Sequence, residues 1–333
     1  MSHVYTLTAT GHRVPRWFTE GLAVHEETAI SPDWGDRLSP DVIDAIEEKK
    51  LLPVAELDRG FVHPTAPTQV IVSYFQAGRI CDYINDKWGW DTLLNMLHDF
   101  GNGEETAAVV KKELKIEPEE FDRRFVAYIE ADTKTQVTNF KEWKKGLKSL
   151  VEKQSKKDWD GVIREGTAIR DLYPDYVEEH SVYEALAAAY IAKGDAAAAI
   201  AELERYEKIG GRSPETLELL ARKLEEAGRG VEAADALNRL NFIYPMDAAA
   251  HRSLGGLWLV QGNVKGAIRE YQAVLAGNPL DQAQAHYDLA KAYRANRQPE
   301  QAKEELFLAL EAAPGYRAAQ KLLLELSTTP VKN

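Results

Sequence analysis

Residues 251–279 read HRSLGGLWLVQGNVKGAIREYQAVLAGNP. Leu254, Gly255 and Trp258 follow a helical spacing, Gly262 interrupts it, Ala267 and Tyr271 resume it, and Pro279 closes it. That pattern is two short helices, A and B, joined by a tight turn. Working outward, Pro245 lies 34 residues before Pro279 and Pro314 lies 35 after it. The unit recurs with these prolines. Upstream are Tyr183, Leu186, Ala187, Tyr190, Gly194, Ala199 and Leu203, then Leu217, Leu220, Ala221, Leu224, Gly228, Ala233 and Leu237. Downstream are His286, Leu289, Ala290, Tyr293, Ala302, Leu306 and Ala309. Small residues at one position (Ala187, Ala221, Gly255, Ala290) let helix A approach helix B closely. Large residues fill the space to the next unit, so neighbours share one continuous core.

This pattern resembles the tetratricopeptide repeat (TPR) family over about 145 residues. The resemblance implies an all-α fold with a right-handed TPR superhelix. Its repeats run at about 180–213, 214–247, 248–282 and 283–316, with a capping helix at 317–327. A degenerate repeat at 143–176, carrying Trp159, Val162, Ile169 and Pro174, precedes them, and Gly166 stands where a bulky residue is expected. Residues 133–328 are thus the expected TPR array. Such arrays present helix A residues on a concave groove that takes a protein or peptide partner. Counting along the repeats places Glu184, Glu218, Arg252 and Tyr287 at one inward position, Arg222 and Lys291 at the next, and Arg294 a turn further. Arg222, Arg252, Lys291 and Arg294 form a basic stripe suited to an acidic peptide or a C-terminal carboxylate. The asparagines of the chaperone-tail carboxylate clamp are missing at the matching positions. The other reading of these charges is a solvated face.

Residues 1–132 read as an irregular helical subdomain. Ser39-Pro40-Asp41 is a helix start. Arg59 to Pro67 reads as loop, Thr68 to Lys87 as a long helix ended by Gly89, and shorter helices are expected at 91–99, 104–114 and 117–131. The segment Trp17-Phe18-Thr19-Glu20-Gly21-Leu22-Ala23 follows His3 by 17 residues, counted to Glu20. It resembles the second zinc helix of gluzincin (peptidase-MA-like) metallopeptidases, in which a helix carrying H-E-x-x-H comes first. The resemblance implies that His3 and Glu20 are metal ligands of an incomplete zinc site. The first histidine and catalytic glutamate of the motif would precede residue 1. Ser73-Tyr74-Phe75-Gln76-Ala77-Gly78 is similar to the helix that bears a transition-state tyrosine, which makes Tyr74 the catalytic candidate, although the glycine follows one residue late. Glu119-Glu120-Phe121-Asp122-Arg123-Arg124-Phe125 resembles the closing helix of the same domains. A catalytic zinc takes three protein ligands and keeps a position for water. The expectation is therefore no cofactor in this chain, and zinc only in an intact parent domain.

Composition bounds the rest. The 333 residues carry a net charge of −12, which excludes a broad basic nucleic-acid surface. No apolar run reaches the ~20 residues that span a bilayer. Cys81 is the only cysteine, so no internal disulfide forms, and its helical apolar surroundings predict a buried, inert thiol. His25, Glu26 and Glu27 read as solvated. The sequence leaves the compartment open. The function expected is a protein-interaction scaffold of TPR repeats on a catalytically incomplete metallopeptidase-like domain. The alternative is the C-terminal part of an active zinc peptidase.

Overall fold

Pro40, Pro67, Pro118, Pro214 and Pro299 each stand in the first turn of a helix, where a missing N–H costs no hydrogen bond. Side-chain caps satisfy other helix starts. Ser39 Oγ accepts from the Val42 amide at 3.3 Å, Asp158 from Gly161 at 3.0 Å, and Asp281 from Gln284 at 2.9 Å. The computed structural model describes residues 2–31, 34–35, 37–178 and 180–328, and among these every regular element is helical. No described helix is long and apolar enough to cross a membrane.

The chain packs as two compact units, residues 1–189 with 208–211, and residues 190–207 with 212 onward. The first contains α1 (Ser2–Ala9), α2 (Arg16–Ile30), α3 (Pro40–Glu47), a 3-10 turn (Val54–Glu56) and α4 (Asp58–Val62). It continues with α5 (Pro67–Trp88), α6 (Trp90–Gly101), α7 (Thr106–Leu114), α8 (Pro118–Asp132), α9 (Lys134–Ser155) and α10 (Trp159–Leu172). Next in the chain are α11 (Val182–Lys193) and α12 (Ala196–Lys208). The second unit continues with α13 (Pro214–Glu226), α14 (Gly230–Ile243), α15 (Ala248–Val260), α16 (Val264–Ala276), α17 (Gln282–Ala295), α18 (Pro299–Ala312) and α19 (Arg317–Thr328).

In the first unit α2 lies directly on α5. A Cβ on Gly21 would stand 2.6 Å from the Ala77 carbonyl oxygen and 2.9 Å from Cys81 Sγ, so only glycine permits this approach. Trp17, Phe18 and Phe100 form the centre of the core. Cys81 is fully buried, and burial pushes its thiol well above the ordinary cysteine value, consistent with an inert side chain. The stretch read as loop at 59–67 instead begins inside α4. Leu57 and Phe61, four residues apart, turn one face into the core, and Asp58 accepts the Trp17 amide at 2.8 Å. Burial and a long-range bond make a helix where local sequence had no periodic signal.

The second unit is built of helix pairs. The turn between A and B helices is stereotyped. Gly194, Gly228 and Gly262 take positive φ of 79°, 76° and 81°, and Arg297 at the fourth position takes 59°. After each, an amide returns to the carbonyl five residues back: Asp195 to Tyr190, Arg229 to Leu224, Asn263 to Trp258 and Gln298 to Tyr293, at 2.8–2.9 Å. The α9–α10 pair of the first unit closes in the same way, with Lys157 at φ 58° and Asp158 bonded back to Lys153 at 2.9 Å. Gly166 of that pair is accounted for by packing, because a Cβ there would meet Leu186 Cδ2 at 2.6 Å. Ala221, Gly255 and Ala290 are buried, as are Ala233, Ala267 and Ala302 facing them from the B helices. The α19 helix closes the series by burying Ala319 and Leu322, while Leu324 stays exposed.

Candidate functional site

In the first unit, α1 and α2 bring His3 and Glu20 together. His3 Nε2 stands 3.4 Å from Glu20 Oε2, and His3 Nδ1 is 3.0 Å from Thr19 Oγ1. Thr19 Oγ1 in turn is 2.6 Å from Thr6 Oγ1, so a chain of hydroxyls orients the ring. Arg16, one turn before Glu20, donates from Nε to Glu20 Oε1 at 3.3 Å. Its guanidinium lies 5.7 Å over the Phe61 ring, and Phe61 packs edge-on to Tyr74 with ring centroids 5.0 Å apart. The Tyr74 hydroxyl and Glu20 both hold the Arg16 charge, raising its pKa. Glu20 and Tyr74 therefore both reach Arg16, which sequence reasoning passed over, and His3 reaches Glu20. The available signal was its i, i+4 spacing to Glu20.

His3 and Glu20 offer two donors, one short of a catalytic set. Among the described residues no group of three His, Cys, Asp or Glu side chains could share a metal ion. The guanidinium of Arg16 is the cation beside the Glu20 carboxylate. A separate open cleft of about 530 Å³ lies beside α3, lined among others by Asp41, Asp44, Glu48, Lys50, Arg59 and Gln69, and it contains none of the three.

His25 is not solvated as its sequence neighbourhood suggests. Its Nδ1 is 2.6 Å from Asp82 Oδ1 and its ring stacks on Trp90 at 5.7 Å. The hydrogen bond to Asp82 raises its pKa against the opposing effect of burial. A partner 57 residues away decides this, beyond any local reading.

In the second unit, the A helices carry the expected groove residues. Arg222 is exposed on α13. Arg252 of α15 donates from Nη2 and Nε to Asp288 Oδ2 at 2.9 and 3.0 Å, and Lys291 donates to Oδ1 of the same carboxylate at 2.8 Å. Asp288 is only 5% exposed, and it takes a further bond from Gln284 at 3.0 Å. Lys291 also sits 5.2 Å over the Tyr287 ring, which packs edge-on to Tyr316 at 5.2 Å. Arg294 pairs with Glu325 at 3.1 Å. The two carboxylates Asp288 and Glu325 thus offset half of the stripe's four positive charges, and Asp288, missed in the sequence, organises it. One turn from Arg222, Glu218 hydrogen-bonds the Asp247 carboxylate, which pushes the Glu218 carboxyl up. A second recurrent contact joins A to B helices. His251 Nδ1 is 2.6 Å from Glu270 Oε2 and His286 Nδ1 is 2.6 Å from Glu305 Oε2. Both pairs are 19 residues apart, a repeat legible in the sequence once the period is known.

No protein-family model matches the chain, and no curated protein matches it. Among solved structures it is similar to YrrB, a TPR protein with an unusual peptide-binding site, at 18% identity over 53% of this chain and 89% of that one, TM-score 0.43. It is similar to MamA at 23% identity over 52% and 92%, TM-score 0.41. It is also similar to the C-terminal part of a TPR repeat-containing protein from Cytophaga hutchinsonii, at 14% identity over 54% and 69%, TM-score 0.39. At these identities and scores the likenesses carry no argument about binding. The repeat stands on its own turns and helix pairs.

Proposed function

We propose that the second unit is a protein-interaction module that takes a peptide along the A-helix face bearing Arg222, Arg252, Tyr287, Lys291 and Arg294. The supporting observation is Asp288, which holds cations from two successive repeats side by side. Two cations against one anion leave one positive charge uncompensated, and the Arg252 and Lys291 side chains keep 42% and 35% of their surface in solvent. Such a site suits a single carboxylate better than an acidic run. Tyr287, beside it, offers a surface for an adjoining apolar side chain. Peptides selected from a random C-terminal library on the full chain should bind about tenfold more weakly to Arg252→Glu and to Lys291→Glu, and as amides. Unchanged affinity in all three arms would remove the groove from consideration.

A second reading concerns the first unit, and rests on the 3.4 Å approach of His3 to Glu20. The unit is then a metallopeptidase-like remnant whose incomplete donor set lets Arg16 neutralise the former ligand. The chain as given is expected to hold no tightly bound zinc and to cleave no peptide, measured by metal analysis after dialysis and a fluorogenic peptide assay. One retained zinc per chain with turnover would refute it.

A further inference from the structure

Residues 134–157 carry eight lysines against two acids, Glu142 and Glu152, in a chain of net charge −12. This segment is α9 and its C-terminal turn. Helical geometry sorts it at 100° per residue. Phe140, Trp143 and Leu150 are buried on one side. Lys134, Lys141, Lys144, Lys145, Lys148 and Lys156 fall within about a third of a turn on the opposite side, and all six are exposed; one acid, Glu152, lies among them. The row is about 33 Å long at 1.5 Å per residue. Lys141 reaches Glu47 at 2.7 Å while remaining 82% exposed, and Lys144 lies 4.9 Å over Phe140. Lys134, Lys145, Lys148 and Lys156 have no ion-pair partner among the described residues.

We propose that this face of α9 is a docking strip for an acidic polypeptide segment. The strip, with Glu152 counted, contributes net +5, which leaves −17 on the rest of the chain. A broad polyanion, whether a nucleic-acid duplex or an anionic lipid surface, would bring part of that negative charge within a Debye length of about 8 Å and be repelled. A single acidic helix or extended segment touches only the strip. The face has no arginine for planar phosphate recognition and no exposed aromatic ring on which bases stack. Its one exposed large apolar side chain, Val151 at 42%, is too little for insertion among lipids. Six flexible ammonium groups in line match carboxylates recurring at helical spacing.

The test uses the full chain and a fluorescein-labelled helical peptide of about 22 residues with glutamates at i, i+7, i+11 and i+14, matching the length of α9. Anisotropy should show saturable binding that weakens as salt rises. The Lys145→Glu/Lys148→Glu double variant should bind about tenfold more weakly. Lys145→Gln/Lys148→Gln should fall between, and Lys265→Glu, an exposed lysine on α16, should bind as the parent does. Far-UV circular dichroism confirms that each variant keeps its helix. Parallel arms use phosphatidylserine vesicles and a single-stranded oligonucleotide. Failure of the peptide to bind, binding untouched by the lysine changes, or lysine-dependent binding to vesicles or oligonucleotide alone would each overturn the proposal.

Discussion

Trp17→Ala should lower the stability of the first unit by about 3–5 kcal/mol, the range for truncating a large buried aromatic side chain. Trp17 is 1% exposed and packs edge-on against Phe18 and Phe100, with centroids 5.2 and 6.4 Å away. Its indole N–H donates to Thr106 Oγ1 at 3.1 Å, a bond that ties α2 to the start of α7. Removing the ring leaves a cavity among side chains drawn from α2 and α6, so the site cannot close by one local shift. Trp17→Phe should recover part of the loss by refilling the cavity without the hydrogen bond. Urea denaturation followed by near-UV circular dichroism reads the effect. A loss under about 1 kcal/mol would mean that the core relaxes around the gap.

Gly255→Leu is expected to cost the second unit about 3 kcal/mol, the upper part of the overpacking range. A Cβ at Gly255 would stand 2.9 Å from Tyr271 Cε1 and 3.1 Å from two further ring atoms. Tyr271 is itself 3% exposed on α16, so the ring has little room to retreat. In a repeat array each unit is stabilised by its neighbours, and disrupting an interior pair weakens the pairs on both sides. Gly255→Ala separates the two contributions. It gains about 1 kcal/mol of helix propensity while its Cβ meets the same three Tyr271 ring atoms, and should fall between the parent and Gly255→Leu. Thermal unfolding by far-UV circular dichroism distinguishes them. Equal midpoints for the Gly255→Leu variant and the parent chain would show that α15 and α16 are looser than this contact implies.

The repeats were legible because their determinants are local. A small residue at a fixed place in helix A, a glycine at the turn and a proline after helix B recur at 34 or 35 residues. Each acts within one helix pair, through close approach or a positive φ. Arg297 shows the limit of that signal, because it takes the same left-handed turn without being glycine. In the first unit, α2 meets α5 at Gly21, a contact that depends on two segments far apart in the chain. The α4 helix was not readable, because it rests on what Leu57, at its N-cap, and Phe61 bury against.

The candidate sites divide along the same line. Resemblance to gluzincin helices singled out His3, Glu20 and Tyr74, and the repeat period placed Arg252 and Lys291 on A helices. Tertiary structure decided what surrounds them. Arg16 meets Glu20 and Tyr74, and Asp288 draws Arg252 and Lys291 onto one buried carboxylate. The sequence by itself determined the helical repeat, since backbone hydrogen bonding and small-residue packing act over a few residues. Only the tertiary structure decided the charge state of the groove and the partners of Glu20 and His25. Electrostatics at a site depends on every charge within several ångströms, and chain folding brings those charges from tens of residues away.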